Sequence, residues 1–261
     1  ERVIAAGGMG RVYLATQMPL GRPVAIKVVR TEIQGSRQQF LRRFFLEASA
    51  CARLTHPNII TIHDYGEAED GNVFMAMEYL DGRSLDKEIK ETAPMTPERA
   101  LHITIQVSRA LREAHGKGII HRDLKPQNVM LMEQGDERDF VKVLDFGLVK
   151  MLSVEDEKAE AELTRAGVLL GSPNYMSPEQ ILGGTLDHRS DIYSLGVVLF
   201  KMLAGKNPFT RDSETDVIYK HVYHAAPTLA SLGIAVPPIV EALVAKCLAK
   251  KASDRYASCK E

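Results

Sequence analysis

The hydrophobic and polar positions of this chain follow one period up to about residue 80 and another after it. In the first part, apolar residues alternate with polar ones, a period of two that is typical of half-buried strands. The pattern predicts five strands, at Val3–Ile4, Arg11–Thr16, Val24–Val29, Ile59–Tyr65 and Val73–Tyr79. A segment with the period of a helix, from about Ser36 to Leu54, separates the third strand from the fourth.

Helical periodicity dominates after Gly82. Thr96-Pro97-Glu98 combines an N-cap residue, a proline at the first helical position and an early acid, so it predicts a long helix that ends near Gly116–Gly118. Three more helices are predicted, at Arg189–Ala204, Glu214–His221 and Pro237–Ala249. We therefore expect an α+β protein with a small strand-rich lobe at residues 1–80, a hinge at 77–82 and a larger, mainly helical lobe at 83–261.

The charge balance argues against two classes of partner. Lysine and arginine together number 33 and aspartate and glutamate 34, which leaves a formal net charge of −1. No overall basic field would draw this chain to nucleic acid or to an anionic membrane, so any anion must be held by a local site. No apolar run approaches the ~18 residues of a membrane span. We expect this segment to contact neither nucleic acid nor membrane.

The cysteines favour a reducing, cytoplasmic compartment. Cys51, Cys247 and Cys259 are odd in number, far apart and without the spacing of a zinc site or a disulfide framework. The chain opens on Glu1 and stops within a segment of helical character. We therefore expect residues 1–261 to be one domain cut from a longer protein.

One loop carries most of the candidate chemistry. The stretch from His121 to Asn128 is followed by Asp145-Phe146-Gly147, and these two segments, which lie within 27 residues, together contain two aspartates, a lysine and an asparagine. These groups can position a hydroxyl, neutralise a phosphate and ligate magnesium. A solvated turn is the alternative interpretation of such a loop, but the combination at this spacing favours phosphoryl transfer.

The glycines near the N-terminus form a second candidate element. Gly7-Gly8-Met9-Gly10 lies between two predicted strands, where its backbone amides could approach phosphate oxygens closely. A plain hairpin turn explains most such glycine clusters, so this signal is weak when taken alone.

A lysine and a glutamate in the small lobe are predicted to form an ion pair. Period two places Ala25 and Lys27 on one face of their strand. A single stripe of the following helix is formed by Phe40, Phe44, Glu47, Cys51 and Leu54. Glu47 is the only charge in that stripe, and a carboxylate that faces a core requires a cation. We expect Lys27 to supply it.

Taken together, these motifs identify a family resemblance. The chain resembles the eukaryotic-like (Hanks-type) serine/threonine protein kinases, and more closely their bacterial branch, over essentially its whole length. The similarity is carried by G-G-M-G-R-V-Y-L-A, H-P-N-I-I, H-R-D-L-K-P-Q-N and Tyr175-Met176-Ser177-Pro178-Glu179. It implies the bilobal protein-kinase fold, with a small antiparallel sheet and one long helix in the first lobe and a helical second lobe.

The resemblance also implies roles for the loop residues. Asp123 would orient the attacking hydroxyl and accept its proton, and Lys125 would neutralise the transferring phosphoryl group. Asn128 and Asp145 would hold Mg²⁺, with Mn²⁺ as a second candidate metal. The Lys27–Glu47 pair would align the ATP phosphates.

The nucleotide pocket follows from the same resemblance. Its implied residues are Gly7, Gly8 and Gly10 over the phosphates, Val12, Ala25 and Met130 around the adenine, Met77 as gatekeeper, and the backbone from Glu78 to Leu80. Ala5 stands where the family has its first loop glycine, so the glycine loop departs from the pattern there.

Other matching positions imply structural roles. His121 would pack against Phe146, and Glu179 would pair with Arg255 across the large lobe. Asp191 would anchor the backbone of the catalytic loop, although an aspartate at the start of a helix could equally be an N-cap.

The acceptor and its control are also implied. Lys125 and the Gly171-Ser172-Pro173 segment favour a serine or threonine acceptor, with Ser172 contacting Asp123 and Lys125. Arg122 implies control by phosphorylation of the segment that follows Asp145.

Within that segment, Thr164 is the leading phosphorylation site and Ser153 the weaker one. The acidic stretch from Ser153 to Glu162 is a candidate mobile loop, and a transient homodimer would allow autophosphorylation. Many bacterial relatives continue into a membrane span, so a cytoplasmic domain of a membrane-anchored protein is a second option for location.

Two alternative functions stay open at this point. A pseudokinase would bind nucleotide and act as a scaffold, but such proteins usually lose one of five residues, Lys27, Glu47, Asp123, Asn128 and Asp145, all of which are present. A small-molecule phosphotransferase of similar fold would lack the Gly171–Glu179 segment, which is typical of a peptide-binding platform.

Overall fold

A five-stranded antiparallel sheet forms the N-terminal part of the molecule. The computed structural model describes residues 2–7, 10–29, 37–146, 172–209 and 213–261. The strands are β1 (Arg2–Gly7), β2 (Gly10–Gln17), β3 (Arg22–Val29), β4 (Ile62–Glu67) and β5 (Val73–Glu78), in the order β1-β2-β3-β5-β4. Helix α1 (Arg37–Ala52) packs on this sheet, with Phe44 fully buried between them.

The rest of the chain is mainly helical. Its helices are α2 (Leu85–Thr92), α3 (Pro97–Gly116), α4 (Pro178–Ile181), α5 (Arg189–Ala204), α6 (Glu214–Tyr223) and α7 (Pro238–Cys247). A second, three-stranded sheet joins β6 (Arg83–Ser84), β7 (Val129–Gln134) and β8 (Glu137–Val143). Short 3₁₀ turns lie at Pro126–Asn128, Pro173–Tyr175, Ala230–Leu232 and Ala252–Asp254.

Most predicted elements are present, with shifted ends. Helix α5 has the predicted bounds, and it ends where Gly205 adopts a φ of +69°. The side chain of Thr96 caps α3 by accepting a hydrogen bond from the Arg99 amide, as its sequence predicted. Helix α6 runs to Tyr223, two residues beyond the predicted end, and α7 stops at Cys247, two residues short.

The fourth strand begins later than its alternation predicted. Ile59 forms an isolated parallel bridge with Val143, and the Ile60 amide donates to the Val143 carbonyl. Both isoleucines are buried, so these contacts hold the chain beside Val143 up to Ile60, and its bonds to β5 begin at Thr61 and Ile62. The prediction of a strand from Ile59 was therefore wrong at its start.

Several predictions fall outside the described residues. These are the positions of Gly8, Gly147 and Gly171, the stretch from Ser153 to Glu162, and the candidate phosphorylation site Thr164. Among the described residues, no helix is both long and apolar enough to cross a membrane.

The centre of the large lobe is helix α5. From Ser190 to Phe200 every residue of this helix is buried, and it packs against α3 and α7. Helix α5 is therefore covered on all sides and is a rigid support for the segments that its side chains contact.

A buried ion pair joins the start of α4 to the C-terminal segment, as the sequence predicted. Arg255 donates from Nη1 to Glu179 Oε1 at 2.6 Å and from Nη2 to Oε2 at 2.8 Å, and Ser190 Oγ also donates to Oε1 at 2.7 Å. Burial alone would raise the pKa of Glu179, but these hydrogen bonds outweigh it and lower the pKa below its ordinary value. The Arg255 side chain has no solvent exposure.

We expect Glu179→Gln to destabilise the fold by about 3–5 kcal/mol, because it leaves the buried Arg255 cation uncompensated. Urea unfolding at pH 7 measures this. The matched control is Asp187→Asn, which breaks the Asp187–Arg189 pair, whose side chains are about a third exposed, and should cost at most about 1 kcal/mol.

The same comparison has a pH dependence. Because the folded-state pKa of Glu179 is lowered, its contribution is present above the ordinary pKa of glutamate and is lost as the pH falls through the folded-state pKa. The advantage of the native chain over Glu179→Gln should therefore shrink in acid. Equal costs for Glu179→Gln and the Asp187→Asn control at pH 7 would contradict this account.

Candidate active site

The loop from His121 to Asn128, called the catalytic loop below, is held by one buried carboxylate. Asp191 Oδ2 accepts the backbone amide of His121 at 2.8 Å, and Oδ1 accepts that of Arg122 at 2.9 Å. Helix α5 begins at Arg189 with His188 as its N-cap, so Asp191 lies in the first turn and is not the cap. The structure thus decides between the two interpretations in favour of the anchor. His115, which the sequence analysis overlooked, adds a 2.7 Å contact from Nε2 to Asp191 Oδ2.

His121 has a structural position within this loop. Its side chain is fully buried, its ring lies 4.8 Å from the Phe146 ring, and its Nε2 is 2.8 Å from the Leu144 carbonyl oxygen. Its Nδ1 accepts the Asp123 amide at 3.3 Å, which assigns the proton to Nε2. Both ring nitrogens contact the backbone, which supports a structural role for His121, and the predicted packing against Phe146 is confirmed.

Asp123, Lys125 and Ser172 meet at the predicted acceptor position. Lys125 Nζ lies 2.6 Å from Asp123 Oδ2 and donates to Ser172 Oγ at 2.9 Å. The lysine therefore bridges the candidate base and a serine hydroxyl. The predicted contact of Ser172 with Lys125 is present, and Lys125 mediates its link to Asp123.

Two oxygen-bearing side chains lie beside this centre. Asn128 Nδ2 donates to the Asp123 carbonyl at 2.9 Å, which commits the amino end of that amide to the loop and leaves Oδ1 as the end that can ligate a metal. The Asn128 carbonyl accepts the Leu144 amide at 2.9 Å, so Asp145 follows directly after this contact.

The donor set fits magnesium. One amide oxygen and one carboxylate are hard ligands, and magnesium in phosphoryl-transfer sites takes few ligands from the protein and the rest from phosphates and water. Among the described residues, no group of three or more His, Cys, Asp or Glu side chains could hold a metal ion. A metal here would thus depend on the nucleotide for most of its ligands.

Lys27 has a partner that the sequence analysis did not foresee. Its Nζ lies 2.8 Å from Asp145 Oδ1, so β3 is linked directly to the candidate metal ligand. Glu47 is half-buried on α1, one turn before Cys51, and its pairing with Lys27 stays a prediction. The sequence argument treated Lys27 as having no partner of its own, and Asp145 corrects that premise.

Cys51 also touches this segment. Its Sγ lies 3.0 Å from the Phe146 carbonyl oxygen, a distance at which the thiol can donate. Burial, with smaller effects from Glu47 and Asp145, raises the pKa of Cys51 to about 12, so the group stays a protonated thiol at neutral pH. The sequence analysis treated Cys51 only as a small core residue, and no pattern in the sequence indicated the contact with Phe146.

The residues predicted around the adenine lie on both sheets of the molecule. Ala25 pairs with Met77 across β3 and β5, and both belong to the apolar cluster of the small lobe, with Val12 and Leu80 packed against it. Met130 lies on β7 in the second sheet, opposite Lys142.

The backbone of the predicted hinge already makes hydrogen bonds within the protein. The Glu78 amide donates to the Thr61 carbonyl at 3.0 Å, so Glu78 could offer only its carbonyl oxygen to the adenine base. Its side chain is engaged as well, since Oε1 accepts from the Thr61 amide and from Lys142 Nζ, each at 2.7 Å.

Gly10 is required by the sheet itself. Gly7 and Gly10 pair across β1 and β2, and Gly10 has a φ of +145°. A Cβ at Gly10 would lie 2.0 Å from the Val28 carbonyl oxygen, a distance that no side chain tolerates. The close approach of β3 therefore explains this glycine, whatever its role toward phosphate.

Comparison with known proteins agrees with this geometry. The family model described as "Protein kinase domain" matches residues 1–261. The chain is 44% identical over 260 residues to serine/threonine-protein kinase pkn3 of Myxococcus xanthus, covering 99% of this chain and 47% of that protein. It is 40% identical to serine/threonine-protein kinase PrkC of Bacillus subtilis, covering 98% of this chain and 38% of that one.

The solved kinase domain of Mycobacterium tuberculosis PknI has a similar fold. It superposes with a TM-score of 0.72 at 27% sequence identity, covering 99% of this chain and 90% of that domain. The chain spans 38–61% of the length of the curated relatives it matches. The family match over the whole chain, together with identities near 40%, shows that this chain belongs to the protein kinase domain family.

Proposed function

We propose that this chain is the catalytic domain of a serine/threonine protein kinase, which transfers the γ-phosphoryl group of ATP to hydroxyl groups of protein substrates. The observation that carries the proposal is the contact of Lys125 with both Asp123 and Ser172. It places a carboxylate, a cation and a hydroxyl-bearing segment at one point. The names of the curated relatives support the same activity and its part in signalling.

Phosphoryl transfer depends on positioning and charge stabilisation more than on covalent chemistry. Asp123 accepts the proton of the incoming hydroxyl and fixes its direction of attack. Lys125 stands beside it and neutralises negative charge on the transferring group. Lys27 orients the phosphates from the small lobe, with Glu47 as its predicted second partner. Asp123 acts from a backbone held on both sides, since its amide donates to His121 Nδ1 and its carbonyl accepts from Asn128 Nδ2, which keeps the reorganisation cost low.

The kinase family uses ATP with a divalent metal, and Asn128 and Asp145 are the residues that would hold Mg²⁺ or Mn²⁺. Bound there, the metal would neutralise charge on the phosphate oxygens. The apolar side chains of Val12, Ala25 and Met130 would enclose the adenine.

Regulation through the segment after Asp145 is a further part of the proposal. The backbone of Arg122 is fixed on both sides, by Asp191 at its amide and by Gln180 Nε2 at its carbonyl, 2.7 Å away. Its guanidinium would therefore receive a phosphate from Thr164, or more weakly from Ser153, without moving the loop. A transient homodimer in the cytoplasm would supply the autophosphorylating partner.

Substitution of the phosphate- and metal-binding residues tests the assignment. Lys27→Met and Asp145→Asn should each abolish transfer from labelled ATP, because each removes a charge that contacts the phosphates or the metal. Asp123→Ala should lower kcat by roughly 10²–10⁴-fold. Thermal unfolding should show that all three variants fold.

The matched control is Lys87→Met, because Lys87 lies on the exposed face of α2 and its loss should leave the rate unchanged. Near-full autophosphorylation by Lys27→Met or Asp145→Asn would refute the site assignment, and a loss below tenfold for Asp123→Ala would argue against its role as base. A protein that binds ATP but transfers nothing in its native form would instead be the pseudokinase scaffold.

Phosphorylation of the segment after Asp145 is tested separately. Active protein incubated with ATP and magnesium should carry phosphate at Thr164 in peptide mapping. Thr164→Ala should lower the rate toward an added substrate, and Arg122→Ala should make the rate insensitive to prior phosphorylation. A fully active protein with a bare Thr164 would remove this part of the proposal.

A further inference from the structure

A polar cluster lies beside the catalytic loop, and the proposed mechanism does not use it. Its members come from α2, the catalytic loop, the turn after Ser172 and α5: Asp86, Lys90, Gln127, Tyr175 and Lys201. Asp86 Oδ1 accepts from Gln127 Nε2 at 2.8 Å, and Asp86 Oδ2 lies 2.6 Å from Lys90 Nζ. Both oxygens of this carboxylate are thus engaged before Lys201 is considered.

Lys201 has one hydrogen-bonded acceptor and one longer ion pair in the cluster. Its Nζ donates to Tyr175 Oη at 2.9 Å, but it lies 3.5 Å from Asp86 Oδ1, longer than a charge-assisted hydrogen bond. An ammonium group has three donors, and Tyr175 is the one hydrogen-bonded acceptor found for it in the described part of the chain. Only 16% of the side chain is exposed. An ammonium this buried is stabilised by a further acceptor.

The cluster also carries an excess of positive charge. Two lysines share the single carboxylate of Asp86, which leaves one net positive charge. Burial raises the pKa of Tyr175 above its ordinary value, so this hydroxyl stays neutral and offsets none of it. An anionic group that entered the cluster would meet a favourable field in a partly desolvated position.

A second unsatisfied group lies next to Tyr175. The side chain of Asn207 lies next to Tyr175, and its Oδ1 is buried without a hydrogen-bond partner among the described residues. The ammonium of Lys201 has one hydrogen-bonded acceptor and one longer ion pair. A carboxylate side chain of a peptide would supply a further acceptor.

The position of the cluster connects it with the acceptor. Tyr175 is the third residue after Ser172, which contacts Lys125, and Gln127 is the second residue after Lys125. An extended peptide advances about 3.3 Å per residue. A substrate whose hydroxyl lies at Asp123 would therefore bring a residue a few positions away within reach of Lys201.

We propose that Lys201 determines substrate specificity by binding the carboxylate of an aspartate or glutamate that lies a few positions from the phosphorylated hydroxyl. The same charge disfavours lysine or arginine at that position. This inference rests on the proposed transfer to protein hydroxyls and adds the chemical class of the substrate.

A peptide array tests it. Peptides with one central serine or threonine carry Asp, Glu, Ala, Lys or Arg at each flanking position in turn, and kcat/KM is measured for the native chain, Lys201→Met and Lys201→Glu. At one position the native chain should prefer Asp or Glu over Lys by about tenfold, the range expected for a hydrogen bond to a charged group. Lys201→Met should lose that preference, and Lys201→Glu should reverse it.

Two control variants separate specificity from general effects. Lys251→Glu makes the same change of charge at an exposed position outside the cluster and should keep the native profile. Lys201→Arg keeps the charge and should keep the acidic preference. This variant provides the comparison if Lys201→Met folds poorly.

The outcomes are distinct. A native chain that phosphorylates the array with no acidic preference at any flanking position would overturn this inference and leave the proposed function intact. The same holds if Lys201→Glu is active with an unchanged profile. A native chain that phosphorylates neither peptides nor itself would overturn the proposed function and this inference with it.

Discussion

The active site depends on the carboxylate of Asp191. It accepts the amides of His121 and Arg122, and Arg122 adopts a φ of +67°, a left-handed conformation that costs a non-glycine residue about 1 kcal/mol or more. Gln180 holds the carbonyl side of Arg122. The turn that presents Asp123 is therefore maintained by side chains of α4 and α5, and the core of the large lobe sets the geometry of this candidate base.

The small lobe reaches this centre through residues 144–146. His121 holds the Leu144 carbonyl from the large lobe, while Lys27 on β3 holds the Asp145 carboxylate and Cys51 on α1 contacts the Phe146 carbonyl. Three elements thus converge on three consecutive residues. Because Asp145 is the candidate metal ligand, any shift of β3 or α1 relative to the large lobe must change its position or break one of these contacts. The relative position of the two lobes and the position of the candidate metal ligand Asp145 are therefore coupled.

The sequence predicts contacts well where local chemistry leaves a single solution. The predicted bounds of α5 match the structure, in which Gly205 ends the helix, and the Glu179–Arg255 pair that the family resemblance implied is present. The β7–β8 hairpin was missed, because its strands show no clean alternation. Ile59 was misplaced because a partner 84 residues away in the chain, Val143, decides its pairing. Such long-range competition is not encoded in local periodicity.

Lys27 illustrates the same limit within the site. Burial argues that Glu47 needs a cation, but it does not predict that Lys27 also contacts Asp145. That contact depends on the course of the backbone at Asp145, which has a φ of +58°. Helix α5, by contrast, keeps two candidate roles apart. Asp191 and Lys201 are ten residues apart, about 15 Å along the helix. Since the helix between them is buried and rigid, a change at Lys201 can alter what the platform binds without disturbing the loop that Asp191 holds.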